Sequence, residues 1–513
     1  MDRSIRRLGV FLMLLFCALF VQLNYIQVFR AKDLNHKPDN SRPVDQAFSR
    51  ARGTITTSDG VVIARSVKSN DRFQFQREYP GKDLYAQITG YLNYSFGATG
   101  LESSYNSELS GSTARQQLRS IGDLFVDRDR TGNLTLTVRS DIQQKAKEAL
   151  GGQRGSVVVL NPQTGGVLGL WSYPSFDPNV LSSHDFKATA AAKVLLEQAA
   201  GHPLLARSYR EIYAPGSTFK VVTGSTGVQT GKVTPTTPTY PSLRALNVPQ
   251  TSHDLRNYGG ELCGGQLFHV LAKSCNTSFA QMGLDIGGDA MVAGAQAFGF
   301  NSVPPLDLPA VASTFPKGPF DQQLPVLAQS AIGQGQVAST PLQMALVAAG
   351  IANDGVIMEP HVVDDIVDGE GDQVRKNQPT QWRRAVSPQT ADIMRQAMRQ
   401  VVADGTASSM QLPGIDIGAK TGTAQFGPAT PLRSHAWMIL WAGPPGQKPT
   451  VVVAVLVEGT NGLGEQTGAQ AAGPVARAVL EQALKPPPPP PADTTTTTAT
   501  RGSTPSTTVA GGN

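Results

Sequence analysis

"YAPGSTFKVVTG", Tyr213 to Gly224, sets a proline and a glycine ahead of a serine, with a lysine three residues further on. Ser217 and Lys220 in that order can be a nucleophile and its base. They can equally be a helix cap and a solvated side chain. The quartet alone does not decide, because about one or two Ser-x-x-Lys matches arise by chance in a chain this long. Two later stretches bear on it. Ser274-Cys275-Asn276 lies in "LAKSCNTSFAQMG", and Lys420-Thr421-Gly422-Thr423 lies in "DIGAKTGTAQ". Ser-x-Asn carries no weight by itself and Lys-Thr-Gly little. Their occurrence in this order, first in a helix-rich context and then on a strand, is a specific signal for serine acyl transfer.

The residue types suit that chemistry. Acyl transfer needs a nucleophile, a base and a site for the oxyanion. With Pro215-Gly216 turning the chain into a helix, Ser217 and Lys220 stand one turn apart on one face. The lysine must be neutral to take the serine proton, and burial beside a second cation would lower its pKa. Lys420 can be that cation and can also hold a substrate carboxylate. Ser274 can relay a proton to the leaving amine, and Asn276 can orient Lys220 and bond a substrate amide. Thr421 and Thr423 offer hydroxyls for the carboxylate, with Gly422 between them. The N–H groups of Ser217 and Thr423 would form the oxyanion hole.

Around these motifs the chain reads as an α+β protein. "RGTITTSDGVVIA", Arg52 to Ala64, predicts a hairpin, and "DIQQKAKEALGG", Asp141 to Gly152, a helix capped by Asp141 and stopped by its glycines. "GSVVVLNPQTGGVLGLWS", Gly155 to Ser172, predicts a second hairpin turning at Asn161–Gly166. "DIGAKTGTAQ", "HAWMILWAG" and "TVVVAVLVEG" predict neighbouring antiparallel strands, and Gly473 to Lys485 an amphipathic helix with Pro474 in its first turn. An antiparallel sheet flanked by helices therefore stands on a small, mixed, strand-rich N-terminal pedestal. The divisions read as 1–7 for a cytoplasmic tail, 8–29 for a transmembrane anchor, 30–150 for the pedestal, 151–485 for the acyl-transfer domain and 486–513 for a Pro/Thr-rich disordered tail.

The anchor is "LGVFLMLLFCALFVQLNYIQV", Leu8 to Val28, behind Arg3, Arg6 and Arg7. It is long enough to span a bilayer, and the arginines predict a single pass with everything after it extracytoplasmic. A cleaved signal peptide is the competing reading, but no small-x-small site follows promptly. The net charge of +5 without a long basic run argues against nucleic acid. The seven histidines show no metal-ligand spacing, so neither a metal nor another cofactor is expected. Outside the cytoplasm Cys263 and Cys275 can form a disulfide; two buried free thiols are the alternative.

The flanks resemble one family. "YAPGSTFK", the hairpin continuing to Asn179, "AIGQGQVASTPLQMA" from Ala331 to Ala345, "RGTITTSDGVVIA" and "GLESSYNSELSG" from Gly100 to Gly111 are similar to signatures of the class B penicillin-binding proteins. The resemblance covers most of residues 50 to 485. The modest length, small pedestal and cysteine within Ser-Cys-Asn are most similar to actinobacterial members. It implies a monofunctional D,D-transpeptidase that cross-links peptidoglycan stem peptides through an acyl-enzyme on Ser217 and is acylated by β-lactams. It also implies a SEDS-family glycan polymerase and the division machinery as partners. One departure is Ala206-Arg207, where many members carry Asn-Arg; it touches a pedestal-facing contact rather than the chemistry. A D,D-carboxypeptidase or β-lactamase is the alternative, though no Glu-x-x-x-Asn loop supplies a deacylating base. A non-catalytic scaffold or β-lactam sensor is the alternative of another class.

Overall fold

The computed structural model describes residues 3–26, 45, 48–113, 131–427, 433–459 and 466–490. Its first element is a helix, Arg3–Tyr25, whose most apolar 18-residue stretch has a mean hydropathy of 2.1, with every side chain exposed. At 1.5 Å per residue it is about 35 Å long, enough for the roughly 30 Å hydrocarbon core of a bilayer. It starts five residues before the apolar run, so all three arginines lie within it. The end of the predicted anchor, 27–29, lies outside the described residues.

The expected first hairpin pairs Ile55–Thr56 with Val62–Lys68. It belongs to a six-stranded sheet in the order 373–376, 363–368, 132–136, 55–56, 62–68, 75–78. Val363–Asp368 runs antiparallel to Gly132–Leu136, so two strands of the pedestal sheet come from far beyond residue 150. A linear cut there does not divide the sheet. The carboxylate of Glu102, fully buried, joins Arg52 at 3.0 Å and Arg77 at 2.6 Å and ties the short pedestal helices to this sheet.

The second sheet has five antiparallel strands in the order Asp416–Phe426, Arg433–Gly443, Val451–Val457, Gly155–Leu160, Val167–Tyr173. The three late strands are adjacent as their apolar runs predict, and the Gly155 hairpin closes the far side. All seven residues of Val451–Val457 are buried. Helices cover both faces, so the strand reads as a continuous apolar run rather than an alternating one. Ser140–Leu150 and Gly468–Ala483 pack on one face, and Pro341–Ala352 and Pro388–Asp404 on the other.

Two helix starts differ from expectation for identifiable reasons. The helix at 140 is not capped by Asp141, which lies in its first turn and binds Arg139 and Gln482. Its first N–H is taken instead by Asp59, 3.0 Å away in the turn of the pedestal hairpin. The C-terminal helix starts at Gly468, not Gly473, because Thr467 and Gln470 form a capping box upstream. Pro474 therefore sits inside the helix, where packing against the sheet outweighs a local cost of about 3 kcal/mol. Residues 486–490 have no regular secondary structure, and the rest of the predicted tail lies outside the described residues.

Candidate active site

Pro215 leads into a short 3-10 turn, Gly216–Phe219, which passes directly into the helix Lys220–Gln229. Gly216 has φ of +54°, and a Cβ there would meet the carbonyl oxygen of Thr423 at 2.7 Å, so only glycine fits this turn against the sheet. Its N–H donates to Gly333 O at 2.8 Å, which sets the Gly-Gln-Gly segment behind the turn. The turn leaves Ser217 half-buried at the mouth of a cavity and drives Lys220 fully into the interior.

The Lys220 amine meets Ser274 O and Asn276 Oδ1, both at 2.7 Å, and Ser274 Oγ at 3.2 Å. Lys420 Nζ lies 3.0 Å from the same Ser274 Oγ and 2.9 Å from Thr421 O. Ser-x-x-Lys, Ser-x-Asn and Lys-Thr-Gly thus converge on one hydroxyl. Burial, with Lys420 beside it, holds Lys220 well below the ordinary lysine range. A neutral amine has two N–H groups and one lone pair. Donating to Ser274 O and Asn276 Oδ1 uses both N–H groups and leaves the lone pair free to take a proton. Burial also pushes Lys420 down to about 7. Among the described residues, Ser217 Oγ bonds no other side chain; the one-turn spacing places it near Lys220 without a preformed bond.

Ser274 has φ of +60°, a left-handed conformation that a serine adopts only when its surroundings impose it. Ser274 is followed at once by Cys275, bonded to Cys263, and by the helix Asn276–Ile286. Asn276 Nδ2 donates to Arg256 O at 3.0 Å, which joins the Ser-x-Asn segment to a second stretch lining the cavity.

On the opposite wall, the strand Asp416–Phe426 is the edge of its sheet. A Cβ on Gly422 would lie 2.9 Å from Pro215 O, Thr218 Cγ2 and Trp437 Cβ alike, so the motif glycine is the point where the strand and the turn carrying Ser217 touch. Thr421 and Thr423 both line the cavity. Gln334 Nε2 approaches Thr423 O at 3.5 Å from the open side. The N–H and C=O of one residue in an antiparallel strand point the same way, so Thr423 N–H also faces out of the sheet. The cavity holds about 1000 Å³, at the upper end of the usual range for ligand pockets and large enough for a peptide.

Sequence patterning does not single out Thr406. Its hydroxyl lies 2.6 Å from that of Thr421, and it too lines the cavity. The loop "DGTASS" carries no periodicity or spacing that separates it from an ordinary helix end.

Comparison with known proteins agrees along the chain. Residues 155–481 match the penicillin binding protein transpeptidase domain, and residues 52–134 the penicillin binding protein A dimerisation domain. The peptidoglycan D,D-transpeptidase PbpA of Mycolicibacterium smegmatis is 40% identical, over 94% of this chain and 99% of that one. Its counterpart from Mycobacterium tuberculosis is 38% identical over the same shares. The ceftriaxone acyl-enzyme complex of M. tuberculosis penicillin-binding protein A superposes with a TM-score of 0.80 at 38% identity, covering 86% of this chain and 100% of that chain.

Proposed function

Since this chain belongs to the penicillin-binding protein transpeptidase family, we propose that Ser217 is the nucleophile of its reaction and that Lys220, Ser274, Asn276 and Lys420 are the groups that move and hold protons around it. The protein is a serine-type peptidoglycan D,D-transpeptidase that binds peptidoglycan and is acylated by β-lactams. Lys220 takes the Ser217 proton as Oγ attacks the carbonyl of the penultimate D-alanine. The tetrahedral oxyanion is met by the N–H groups of Ser217 and Thr423. The C–N bond breaks, Ser274 passes a proton to the departing D-alanine, and an ester on Ser217 remains. The amine of a second stem peptide then attacks that ester, losing its proton to the same relay, and Ser217 is restored. Lys420, Thr421 and Thr423 hold the terminal carboxylate of the donor, with Gly422 keeping the strand against the nucleophile turn.

The observation that supports this most is the placement of the Ser274 hydroxyl between the two buried amines, 3.2 Å from Lys220 and 3.0 Å from Lys420. One continuous relay then serves both halves of the reaction. The apolar N-terminal helix is a membrane anchor of a single-pass protein whose domains lie outside the cytoplasm, and a SEDS-family glycan polymerase and the division machinery are its partners. The test is intact mass of the full chain in detergent after brief exposure to penicillin G, followed over hours beside Ser217→Ala. One long-lived adduct, absent from the variant, is expected. An adduct lost within seconds would instead indicate a β-lactamase, and none on folded protein a non-catalytic scaffold.

A further inference from the structure

Arg207 is fully buried, and its side-chain hydrogen bonds go to partners outside the pedestal. Its Nε donates to Glu458 Oε1 at 2.6 Å, and its two terminal nitrogens donate to the carbonyl oxygens of Gly201 and His202. Glu458 follows the central strand Val451–Val457, and its side chain is 7% exposed. Its second oxygen is held by Arg154 at 2.7 Å, and its own N–H donates to Arg154 O. The carboxylate accepts a third side-chain partner, the hydroxyl of Tyr213, at 2.7 Å.

Tyr213 stands four residues before Ser217, at the head of the segment that delivers the nucleophile. That segment is held residue by residue. Tyr213 exchanges backbone hydrogen bonds with Ser339 at 2.9 and 2.8 Å. Ala214 O accepts from Trp437 Nε1 at 3.0 Å, and Gly216 N donates to Gly333 at 2.8 Å. The ring of Tyr213 meets His435 edge-on at 5.2 Å and Trp437 at 6.4 Å. His435 is held neutral, its pKa pushed down to about 4 by burial, so it adds no competing charge. Burial raises the Tyr213 phenol, so it stays protonated and can only donate toward the carboxylate oxygen. The sheet thus has a rigid post, Glu458, whose charge is locked by two arginines and whose remaining acceptor capacity is aimed at the nucleophile segment.

We propose that the Arg207–Glu458–Tyr213 cluster is a positioning clamp for Ser217, in which Glu458 fixes Tyr213 and thereby the height of the nucleophile turn above the Lys-Thr-Gly strand. The clamp rests on the assignment of Ser217 as nucleophile. None of its members lines the cavity, so they act through the turn and not on substrate. A misplacement of about 1 Å at a nucleophile can cost on the order of a hundredfold in rate. Loss of one hydroxyl from a segment held at several other points should cost less, about tenfold.

Glu458→Gln leaves a buried arginine uncompensated and can prevent folding. Tyr213→Phe keeps the ion pairs intact and is the decisive variant. With the full chain in detergent and penicillin G as the probe, stopped-flow acylation separates the binding constant from the acylation step. The clamp predicts an acylation step about tenfold slower with binding unchanged and the midpoint of the pH profile retained, alongside a modest drop in melting temperature from the lost hydrogen bond to a buried carboxylate. Hydrogen exchange on the same samples should show faster exchange across 214–219, where the Gly216 N–H is bonded to Gly333. An acylation step equal to wild type with unchanged exchange would overturn the proposal, as would a reduced burst amplitude at an unchanged rate, which signals a smaller folded fraction only. Should the wild type not be acylated at all, the assignment of the reaction fails, and the exchange measurement still decides whether the clamp exists.

Discussion

Gly422→Ala adds one methyl group at the contact between the motif strand and the nucleophile turn. The new Cβ would stand 2.9 Å from Pro215 O, Thr218 Cγ2 and Trp437 Cβ, about half an ångström short of the 3.4 Å at which ordinary contact begins. Two of those atoms belong to the nucleophile turn and the third to the neighbouring strand, so no single side chain can swing aside. Trp437 is fully buried and hydrogen-bonded to Ala214 O, and the turn is pinned behind by Gly333. Relief must come from the turn rising off the strand by about half an ångström or more. Overpacking of this kind costs about 1–3 kcal/mol in stability. The displacement falls on Ser217 relative to Thr423, so acylation should fall by roughly ten- to a hundredfold, through the acylation step more than through binding. Stopped-flow acylation with penicillin G and thermal unfolding of the same preparation measure both. Wild-type acylation at an unchanged melting temperature would show that strand and turn are not in the contact described and would refute the steric argument.

Lys420→Met removes the charge that helps depress Lys220. The Lys220 pKa should rise, so the acid limb of the acylation pH profile should move to higher pH, beyond any loss of carboxylate binding; an unmoved limb would mean that burial alone sets Lys220. Glu102→Gln leaves Arg52 and Arg77 buried without their counter-charge and should destabilise the pedestal by about 3–5 kcal/mol in thermal unfolding. Burial raises the Glu102 carboxyl, but Arg77 and Arg52 outweigh it and leave it below the ordinary carboxylate range. Its stabilisation is therefore present above the unfolded-state pKa and lost as pH falls through the lowered folded one, and the variant should lack that acid-side loss. Replacing Cys263 and Cys275 together by alanine opens a loop closed across a separation of 12 residues, worth about 3 kcal/mol in the chain-entropy model. It should also slow acylation, because Cys275 lies between Ser274 and Asn276. A wild-type rate in the double variant would mean that the Ser274 conformation is held by the helix start alone.

The candidate acyl-transfer residues are legible in the sequence because acyl transfer restricts residue type and order so strongly. Three short motifs in sequence, with a turn before the first and strand patterning around the last, left few other readings of Ser217, Lys220, Ser274, Asn276 and Lys420. The antiparallel partnership of the three late strands was legible for a similar reason, since apolar runs of strand length separated by Gly/Pro loops have few other ways to be buried. What tertiary structure alone decided depends on partners distant in sequence. Asp59 caps a helix eighty residues away in place of Asp141, and a capping box outranks Pro474 as the start of the last helix. Strands at 363–376 complete a sheet begun at residue 55. Thr406 reaches Thr421 from a loop with no pattern of its own. The protonation of the two lysines belongs with these. Local sequence can place Lys220 one turn from Ser217, but only complete burial beside a second amine lowers its pKa, because the free energy of a charge is set by the dielectric and charges around it, which the whole fold assembles.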